Sequence, residues 1–367
     1  MLQKLSSFAG VPGPVVIIVM DGYGIPKTDA GSAIAAARKP TLDRLFADHP
    51  NIRLRAHGTA VGMPSDDDMG NSEVGHNAIG AGQVYSQGAA LVADAIASGA
   101  IWEGEAWQQI VAGAKAGRGT IHFIGLFSDG NVHSHIDHLK AMVVQAKAEG
   151  LKTVRIHALL DGRDVPETSA LDYVIPFETF LTEISTDGFD ARIASGGGRQ
   201  NITMDRYDAN WSMVDKGWKT HVLGEGQQFP NAVAAVNALR EQNPGTIDQD
   251  LPPFVIGEKG KPIGTIEDGD SVVFFNFRGD RAIEITRAFE EAAFDKFERV
   301  RVPNVTYAGM LQYDGDLKLP ARFLVAPPAI KNTMGEWFSK ADIAQFACSE
   351  TQKFGHVTYF WNGNRSG

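Results

Sequence analysis

The chain has 367 residues, enough for two or three domains with their own cores, and its 43% hydrophobic and 21% charged residues are typical of a globular protein. Its net charge of -10 argues against a surface for nucleic acid or anionic membrane. Cys348 is the single cysteine, which excludes an internal disulfide, and the N-terminus shows no apolar run typical of a signal peptide or membrane span, so we expect a cytoplasmic protein.

The first candidate element is the apolar run Val15–Met20, which ends at Asp21-Gly22. A short, uninterrupted apolar run is typical of a parallel strand buried on both faces, so we predict such a strand. Asp21 would then lie at the carboxyl end of the strand, where ligands gather in α/β sheets. A helical stretch is predicted from about Ala33 to Ala47, with Pro40 beginning a second helix.

The stretch Met69–His76 offers a serine, Ser72, in a position suited to a nucleophile. Gly70 and Asn71 permit a tight turn with unusual backbone angles. A helix that begins after Ser72 would present free N–H groups to a phosphate. Serine needs a base or a metal to remove its proton, and within this stretch His76 is the candidate base. The alternative is that Asn71-Ser72 only caps a helix.

Beyond residue 86, strands alternate with helices, which predicts an α/β fold with mainly parallel sheets flanked by helices. The Pro- and Gly-rich stretch 244–261 predicts a surface excursion. The predicted strands are Ile121–Phe127, Val154–Leu160, Ala191–Ala194, Ser271–Phe277, Asn304–Gln312, Arg322–Val325 and His356–Phe360. The predicted helices are His135–Ala148, Ala170–Ile184, Ala209–Trp218, Asn231–Gln242, Ala282–Phe294 and Thr333–Lys340.

Arginines follow three of these predicted strands. Because the carboxyl ends of parallel strands share one edge of a sheet, we expect the guanidinium groups to surround a small, multiply charged anion, either carboxylate or phosphate. The alternative is that each arginine is solvated or paired with a neighbouring carboxylate, such as Asp164, Asp205 or Asp280. The arginines are Arg163, Arg199, Arg206, Arg278 and Arg281. Of these, Arg278 and Arg281 are three residues apart and project on the same side if a helix begins there.

Three further patterns leave alternatives open. Gly196–Gly198 could form a backbone nest for an oxyanion, but a flexible turn is the preferred interpretation. His133, His135 and His138 have the spacing H-x-H-x-x-H, yet no cysteine or carboxylate cluster completes a zinc site, so capping or substrate hydrogen bonding is preferred. Asp21 and Ser72 could share one divalent cation, whereas Asp21-Gly22 could also be a plain turn.

Together these segments resemble the phosphoglycerate mutases that are independent of 2,3-bisphosphoglycerate, a family of the alkaline phosphatase superfamily. The resemblance covers essentially the whole chain. The Gly-Gly-Gly-Arg spacing before Arg206 is similar to that of plant and trypanosomatid members, a branch that also has bacterial members. The matching segments are 21–24, 40–43, 69–76, 132–135, 161–164, 204–206, 277–281 and 349–353.

The resemblance implies a phosphatase domain in two parts, 1–86 and 327–367, with a phosphotransferase domain inserted at 87–326. It implies conversion of 3-phosphoglycerate to 2-phosphoglycerate through a phosphoserine at Ser72, with no requirement for 2,3-bisphosphoglycerate. Two divalent metal ions are implied, manganese with magnesium or cobalt as alternatives, one of them held by Asp21 and Ser72. The residues implied to bind phosphoglycerate are His133, Arg163, Asp164, Arg199, Arg206, Arg278, Arg281 and Lys353.

The sequence departs from the family in one major respect. The family's remaining metal ligands, aspartates and histidines, lie beyond the Asn362–Gly367 segment, where this sequence stops; Gln352 also stands where many relatives have an acidic residue. We therefore expect a fragment of a mutase, inactive by itself as an isomerase. The alternatives are a related metal-dependent phosphatase or phosphopentomutase, and a non-catalytic phosphoglycerate-binding protein. We expect a monomer with a small-molecule substrate and no nucleic-acid or membrane partner.

Overall fold

The computed structural model describes residues 5–25, 28–86, 88–206, 208–327 and 329–365. The backbone divides into two compact units, Met1–Arg55 and Ala56–Gly367. The described part of the first unit contains two helices, α1 (Ala33–Ala36) and α2 (Pro40–Asp48), which confirms the prediction of a second helix beginning at Pro40. The hydroxyl of Ser32 caps α1 by accepting the N–H of Ala35 at 3.1 Å.

The strand predicted at Val15–Met20 is absent. These residues have no regular secondary structure, and their side chains are exposed, from 43% for Val19 to 78% for Ile18. A strand needs a neighbouring backbone to pair with its N–H and C=O groups, and the described part of the first unit contains no strand that could supply one. The prediction from apolar sequence alone is therefore wrong for this structure.

A mainly parallel sheet with flanking helices forms the centre of the second unit, as the alternating pattern predicts. Its strands are β1 (Thr120–Phe127), β2 (Thr153–Leu160), β3 (Asp190–Gly198), β4 (Gln227–Phe229), β5 (Phe254–Glu258), β6 (Lys261–Pro262), β7 (Ser271–Phe274) and β8 (Thr306–Gly309). The strand order is β4-β5-β3-β2-β1-β7-β8, with β6 paired to β5. All neighbouring pairs are parallel except β3–β5 and β5–β6. The strands β1, β2, β3 and β7 therefore end at the same edge of the sheet.

The six helices predicted beyond residue 86 are present with similar bounds, whereas the helices between residues 88 and 116 were not predicted. Asparagine and threonine caps begin α10 and α12: Asn231 Oδ1 accepts the N–H of Ala234, and Thr333 Oγ1 accepts that of Glu336. The helices are α3 (Ser72–Ala81), α4 (Gly88–Ala97), α5 (Ala100–Glu103), α6 (Glu105–Ala116), α7 (Ile136–Ala148), α8 (Ala170–Ile184), α9 (Trp211–Trp218), α10 (Ala232–Gln242), α11 (Ile283–Glu290) and α12 (Met334–Lys340). None of the helices in the described ranges is long and apolar enough to cross a membrane.

Three segments of the second unit do not have the conformation predicted for them. The stretch 244–261 is not a surface excursion, because it contains β5, whose Phe254 is buried in the sheet. His356–Phe360 forms a π-helical turn rather than a strand. Of 322–325, Phe323 alone makes a β-bridge, to Gly309. A short apolar segment does not specify its backbone conformation, since non-local pairing decides it.

The glycines at 196–198 belong to β3 and form neither a nest nor a flexible turn. A Cβ on Gly196 would lie 2.5 Å from the carbonyl oxygen of Ala158 on β2 and 2.6 Å from the ring of Phe254. Glycine is required here because β3 packs closely against its neighbours. The turn prediction is wrong because it considered only backbone freedom and not this close approach.

Candidate active site

Ser72 is the first residue of α3. The side chain of Asn71 caps this helix, with Oδ1 accepting the N–H groups of Glu73 at 3.0 Å and Val74 at 3.2 Å. The capping interpretation is therefore confirmed. Contrary to the other expectation, these two N–H groups are not available to a phosphate, because they bind the Asn71 side chain. Gly70 does not have a left-handed backbone; its role is steric, because a Cβ would lie 2.0 Å from the carbonyl oxygen of Ala56.

His76, the candidate base, contacts the backbone of Ser72. Its Nδ1 lies 2.7 Å from the carbonyl oxygen of Ser72, one helical turn earlier, and donates to it. Its ring stacks on His356 with centroids 5.2 Å apart. Both histidines are buried. The ring of His76 is therefore held by backbone and stacking contacts, and it is not placed as the base.

The predicted arginine loops meet at the carboxyl edge of the sheet, around the carboxylate of Asp280. This side chain is 1% exposed. Its oxygens lie 3.1 Å from Arg278 Nε, 3.5 Å from an Arg206 terminal nitrogen and 3.7 Å from His133 Nδ1. Burial favours a raised pKa for Asp280, but Arg278, Arg281, Arg206 and Arg199 outweigh it, and the pKa is lowered. Asp280 is therefore an ionised counter-charge at the centre of the arginines.

Arg199 is paired with carboxylates, as the alternative interpretation of the arginines predicts. Its guanidinium is 1% exposed and lies 2.9 Å from Asp161 Oδ1, with a second contact to Asp164. Asp161 Oδ1 also accepts the backbone N–H groups of Arg163 and Asp164, both at 3.1 Å. This turn after β2 thus holds Arg199 rigidly at the end of β3.

Arg281 shows that the cluster retains excess positive charge. It is buried, and one terminal nitrogen donates to the carbonyl oxygen of Met204 at 2.6 Å. Burial lowers its pKa to about 10, with Asp280 opposing and the nearby Arg199, Arg206 and Arg163 contributing to the decrease. A guanidinium repelled by three others is stabilised when an anion enters, so the cluster favours a multiply charged ligand.

Glu73 connects the arginine cluster to the helix of Ser72. Its Oε2 lies 3.5 Å from Arg278 Nε, and its Oε1 accepts a hydrogen bond from the Asn364 amide at 3.1 Å. Burial raises the pKa of Glu73 to about 7, against the opposing effect of Arg278. A small cleft beside this contact is lined by Asn71, Glu73, Asn131, Val132, Phe277 and Arg278, among others.

Sequence reasoning missed Glu73 and assigned Asp280 only to the alternative of simple ion pairing. The one signal for Glu73 was its place after Ser72 in the first turn of a helix. Acidic residues are common in the first turn of any helix, so this signal is not specific. Asp280 lies between Arg278 and Arg281 in sequence, so its placement was visible, but its burial was not.

His133 and Lys353 have different surroundings. His133 is buried, and its pKa is lowered well below the ordinary value by burial and by the nearby Arg199, Arg278 and Arg281, so its ring is neutral. Lys353 ends a 3₁₀ turn, Thr351–Lys353, and is partly exposed. The neighbouring Gln352 accepts a hydrogen bond from Arg206 at 3.0 Å, which brings this segment to the arginines.

The three histidines at 133, 135 and 138 do not form a zinc site. His135 caps α7 by accepting the N–H of Asp137 at 3.1 Å, which confirms the capping interpretation for that residue. Across the ranges that the structure describes, no group of three or more His, Cys, Asp or Glu side chains is arranged to hold a metal ion. Asp21 lies in the first compact unit and Ser72 in the second, and a divalent cation shared by these two residues stays a prediction from the sequence.

Comparison with known proteins agrees with this geometry. The family model described as "BPG-independent PGAM N-terminus (iPGM_N)" matches residues 92–315, more than half of the chain. The chain belongs to the 2,3-bisphosphoglycerate-independent phosphoglycerate mutase family. The match includes β1, β2, β3 and β7 and every arginine of the cluster.

Curated relatives match over nearly the whole of this chain. A protein from Leptospira interrogans, named "Probable 2,3-bisphosphoglycerate-independent phosphoglycerate mutase", is 61% identical over 96% of this chain and 65% of its own length. A Trypanosoma brucei protein named "2,3-bisphosphoglycerate-independent phosphoglycerate mutase" is 53% identical over 96% of this chain and 64% of its own length. A crystal structure of Leishmania mexicana phosphoglycerate mutase at low cobalt concentration superposes with a TM-score of 0.93 and 52% identity, over 95% of this chain and 64% of that one. The chain thus spans somewhat less than two thirds of the length of these relatives.

Proposed function

We propose that this chain supplies the phosphoglycerate-binding and phosphoryl-accepting groups of a phosphoglycerate mutase, an isomerase that interconverts 3-phosphoglycerate and 2-phosphoglycerate. The observation that carries the proposal is the buried arginine cluster around Asp280, joined to the helix of Ser72 by the contact between Arg278 and Glu73. Family membership supports the same substrate. The phosphopentomutase alternative offers no reason for three arginine loops, two of which bring guanidinium groups to Asp280 while the third pairs with Arg199.

In this proposal the phosphoryl group passes from the 3-oxygen of the substrate to Ser72 Oγ and returns to the 2-oxygen of the same glycerate. The arginines grip the carboxylate and phosphate of the substrate through paired N–H donors. The neutral ring of His133 adds a donor or acceptor without a further charge. Held in this way, the glycerate keeps its hydroxyls close to the phosphoserine, which replaces a bimolecular encounter with a local rearrangement. The substrate-binding set is His133, Arg163, Asp164, Arg199, Arg206, Arg278, Arg281 and Lys353.

Metal dependence is also a proposal. The Leishmania mexicana structure was obtained at low cobalt concentration. We propose that the family chemistry uses two divalent ions, manganese with magnesium or cobalt as alternatives. Asp21 and Ser72 are the proposed ligands from this chain. We also propose, as expected from the sequence, that this chain binds substrate without isomerising it.

The domain division 1–86, 87–326 and 327–367 is likewise proposed. The family match at 92–315 lies inside the proposed inserted domain and supports its extent. The boundary between compact units, after Arg55, falls elsewhere, within the proposed first part. A monomeric state, a cytoplasmic location and the absence of nucleic-acid or membrane partners also stay predictions from the sequence.

The proposal is tested by calorimetric titration of this chain with 3-phosphoglycerate and 2-phosphoglycerate. We expect saturable binding that Arg278→Lys weakens by about tenfold or more, because lysine keeps the charge but loses the planar fork. The matched control is Arg322→Lys, at an exposed arginine whose Nε donates to Gln109 at 2.7 Å. Equal affinity in both variants would refute the assignment of the pocket.

Turnover is measured separately by phosphorus NMR with manganese added. We expect no conversion of 3-phosphoglycerate by this chain. Metal-dependent conversion that Ser72→Ala abolishes would contradict the expected inactivity while supporting Ser72 as the phosphoryl acceptor. Conversion that persists in Ser72→Ala would refute that role.

A further inference from the structure

A continuous line of hydrogen-bonded polar side chains crosses the buried sheet, away from the arginines. Every member is at most 2% exposed. The contacts run from Asp270 Oδ2 to His122 Nε2 at 3.1 Å, His122 Nδ1 to His157 Nε2 at 2.9 Å, His157 Nδ1 to Ser195 Oγ at 2.7 Å, Ser195 Oγ to His221 Nδ1 at 2.8 Å, and His221 Nε2 to Thr203 Oγ1 at 3.0 Å. We call the five residues from Asp270 to His221 the histidine relay. It passes through β1, β2 and β3 in succession.

The carboxylate at one end determines the direction of every hydrogen bond in the relay. Asp270 Oδ2 also accepts the backbone N–H of Glu267 at 2.8 Å and lies 3.4 Å from Arg118 Nη1, so the groups around this oxygen are donors. An oxygen that accepts the Glu267 N–H and faces a guanidinium is an acceptor, so His122 donates to it from Nε2. In a neutral ring Nδ1 then accepts, and it takes the proton on His157 Nε2.

The same reasoning continues to the far end. His157 Nδ1 accepts the hydroxyl proton of Ser195, and Ser195 Oγ accepts the proton on His221 Nδ1. His221 Nε2 is left as an acceptor, so the hydroxyl of Thr203 must donate to it. Burial lowers the pKa of His122, His157 and His221, the last to about 3, which agrees with three neutral rings. The hydroxyl of Thr203 therefore has one permitted orientation.

Thr203 is buried and directly precedes Met204, whose backbone contacts the arginine cluster. Its backbone is left-handed, with a φ of +70°, which is strained for a β-branched residue and persists only when the surroundings hold it. Its N–H donates to the carbonyl oxygen of Met213 at 2.9 Å. The next residue, Met204, presents its carbonyl oxygen to Arg281 at 2.6 Å, and Arg206 follows two residues later.

We propose that Thr203 is a positioning residue for the arginine cluster, and that the histidine relay fixes its hydroxyl so that the Met204 carbonyl and Arg206 keep their places. The inference rests on the proposed function, since it concerns how the phosphoglycerate pocket is held. A purely structural role would require only that each buried polar group be paired. The relay goes further, because the acceptor at Asp270 requires the hydroxyl of Thr203 to donate, rather than accept, at the other end.

The first test reads the protonated nitrogens directly. In ¹⁵N-labelled protein, long-range nitrogen–proton spectra distinguish protonated from bare ring nitrogens, and signals are assigned by their loss in single His→Gln variants. At neutral pH we expect protons on Nε2 of His122 and His157 and on Nδ1 of His221, with no charged ring among the three. A proton on His221 Nε2, or a charged ring, would overturn the relay.

The second test separates the effect of the Thr203 hydroxyl from that of its side-chain shape by comparing Thr203→Val with Thr203→Ser. Valine keeps the β-branched shape and loses the donor, whereas serine keeps the donor. We expect Thr203→Val to weaken binding of 3-phosphoglycerate and of inorganic phosphate by about five- to tenfold, the loss of one buried hydrogen bond, and Thr203→Ser to stay within about twofold. We also expect the His221 ring signals to shift in Thr203→Val alone.

The outcomes are distinguishable. Wild-type affinity in Thr203→Val, or equal losses in both variants, overturns the positioning role. Absence of binding by the unaltered chain refutes the proposed function and, with it, any role in holding a ligand. If Thr203→Val does not fold, binding by Thr203→Ser and the tautomers of the unaltered protein still decide the question, since a weakened serine variant or a reversed relay overturns it.

Discussion

Replacing Asp280 with asparagine removes the central negative charge of the arginine cluster while preserving side-chain volume. The nearest cation is Arg278, whose Nε lies 3.1 Å from the carboxylate, and Arg206 follows at 3.5 Å. At these separations each pair contributes about 5 kcal/mol of attraction at an effective dielectric constant near 20. Much of that offsets the cost of burying the charges. Because the arginines remain buried without their counter-charge, we expect the free energy of unfolding to fall by about 3–5 kcal/mol.

The dependence of this loss on pH has a definite sign. The arginines lower the pKa of Asp280 in the folded state below its ordinary value of 3.8. Its stabilising contribution is therefore fully present above pH 3.8 and disappears as the pH falls through the lower, folded-state pKa. The difference in stability between the wild type and Asp280→Asn should accordingly be constant near neutral pH and shrink in acid.

Urea denaturation of both proteins, with and without inorganic phosphate, measures these quantities. Phosphate should restore part of the lost stability, because it returns negative charge to the cluster and binds only the folded state. Asp295→Asn is the matched control, since Asp295 is exposed and lies 3.7 Å from Lys296, where the expected change is below about 1 kcal/mol. A loss in Asp280→Asn no larger than that of the control would refute the account of the cluster.

Three further changes have definite expected outcomes. Burial raises the pKa of Glu284 to about 8, so this residue lowers the free energy of unfolding as the pH rises from 4.5 to about 8. Denaturation curves of Glu284→Gln across that pH range should not show this decline. Gly70→Ala should lower the melting temperature, because the new Cβ would lie 2.0 Å from the backbone of Ala56; an unchanged value would contradict the contact. Asn71→Ala should lower the unfolding free energy by about 1 kcal/mol through loss of the α3 cap, and Asn71→Asp should retain most of it.

Local sequence signals predicted most of the helices and central strands. The prediction of α8 was correct at both ends, and the predictions of α10 and α12 differ from the structure only by their capping residues, Asn231 and Thr333. Caps and apolar periodicity act through contacts within one or two turns, so sequence reports them directly. The order of alternating elements also implied the parallel sheet, and with it the shared edge at which the arginines meet.

The failed predictions concern segments whose conformation depends on distant partners. Phe254 lies on a strand because β3 and β4 pair with β5 on either side, whereas Val15–Met20, which is more apolar, has no strand beside it in the described part of its unit. His356 belongs to a π-helical turn and stacks on His76 of α3. In each case the deciding contact is far away in sequence, and composition does not report it.

The sequence by itself determined which chemical groups reach the edge of the sheet: a serine at the start of a helix, and guanidinium groups after three parallel strands. Only the tertiary structure decided how those groups share charge. It buried Asp280 among Arg278, Arg206 and His133, placed Glu73 against Arg278, and aligned three histidines from three elements behind Thr203. The physical reason is that secondary structure arises from local hydrogen bonds, whereas the pKa and ion pairing of a buried group depend on side chains that only folding brings together.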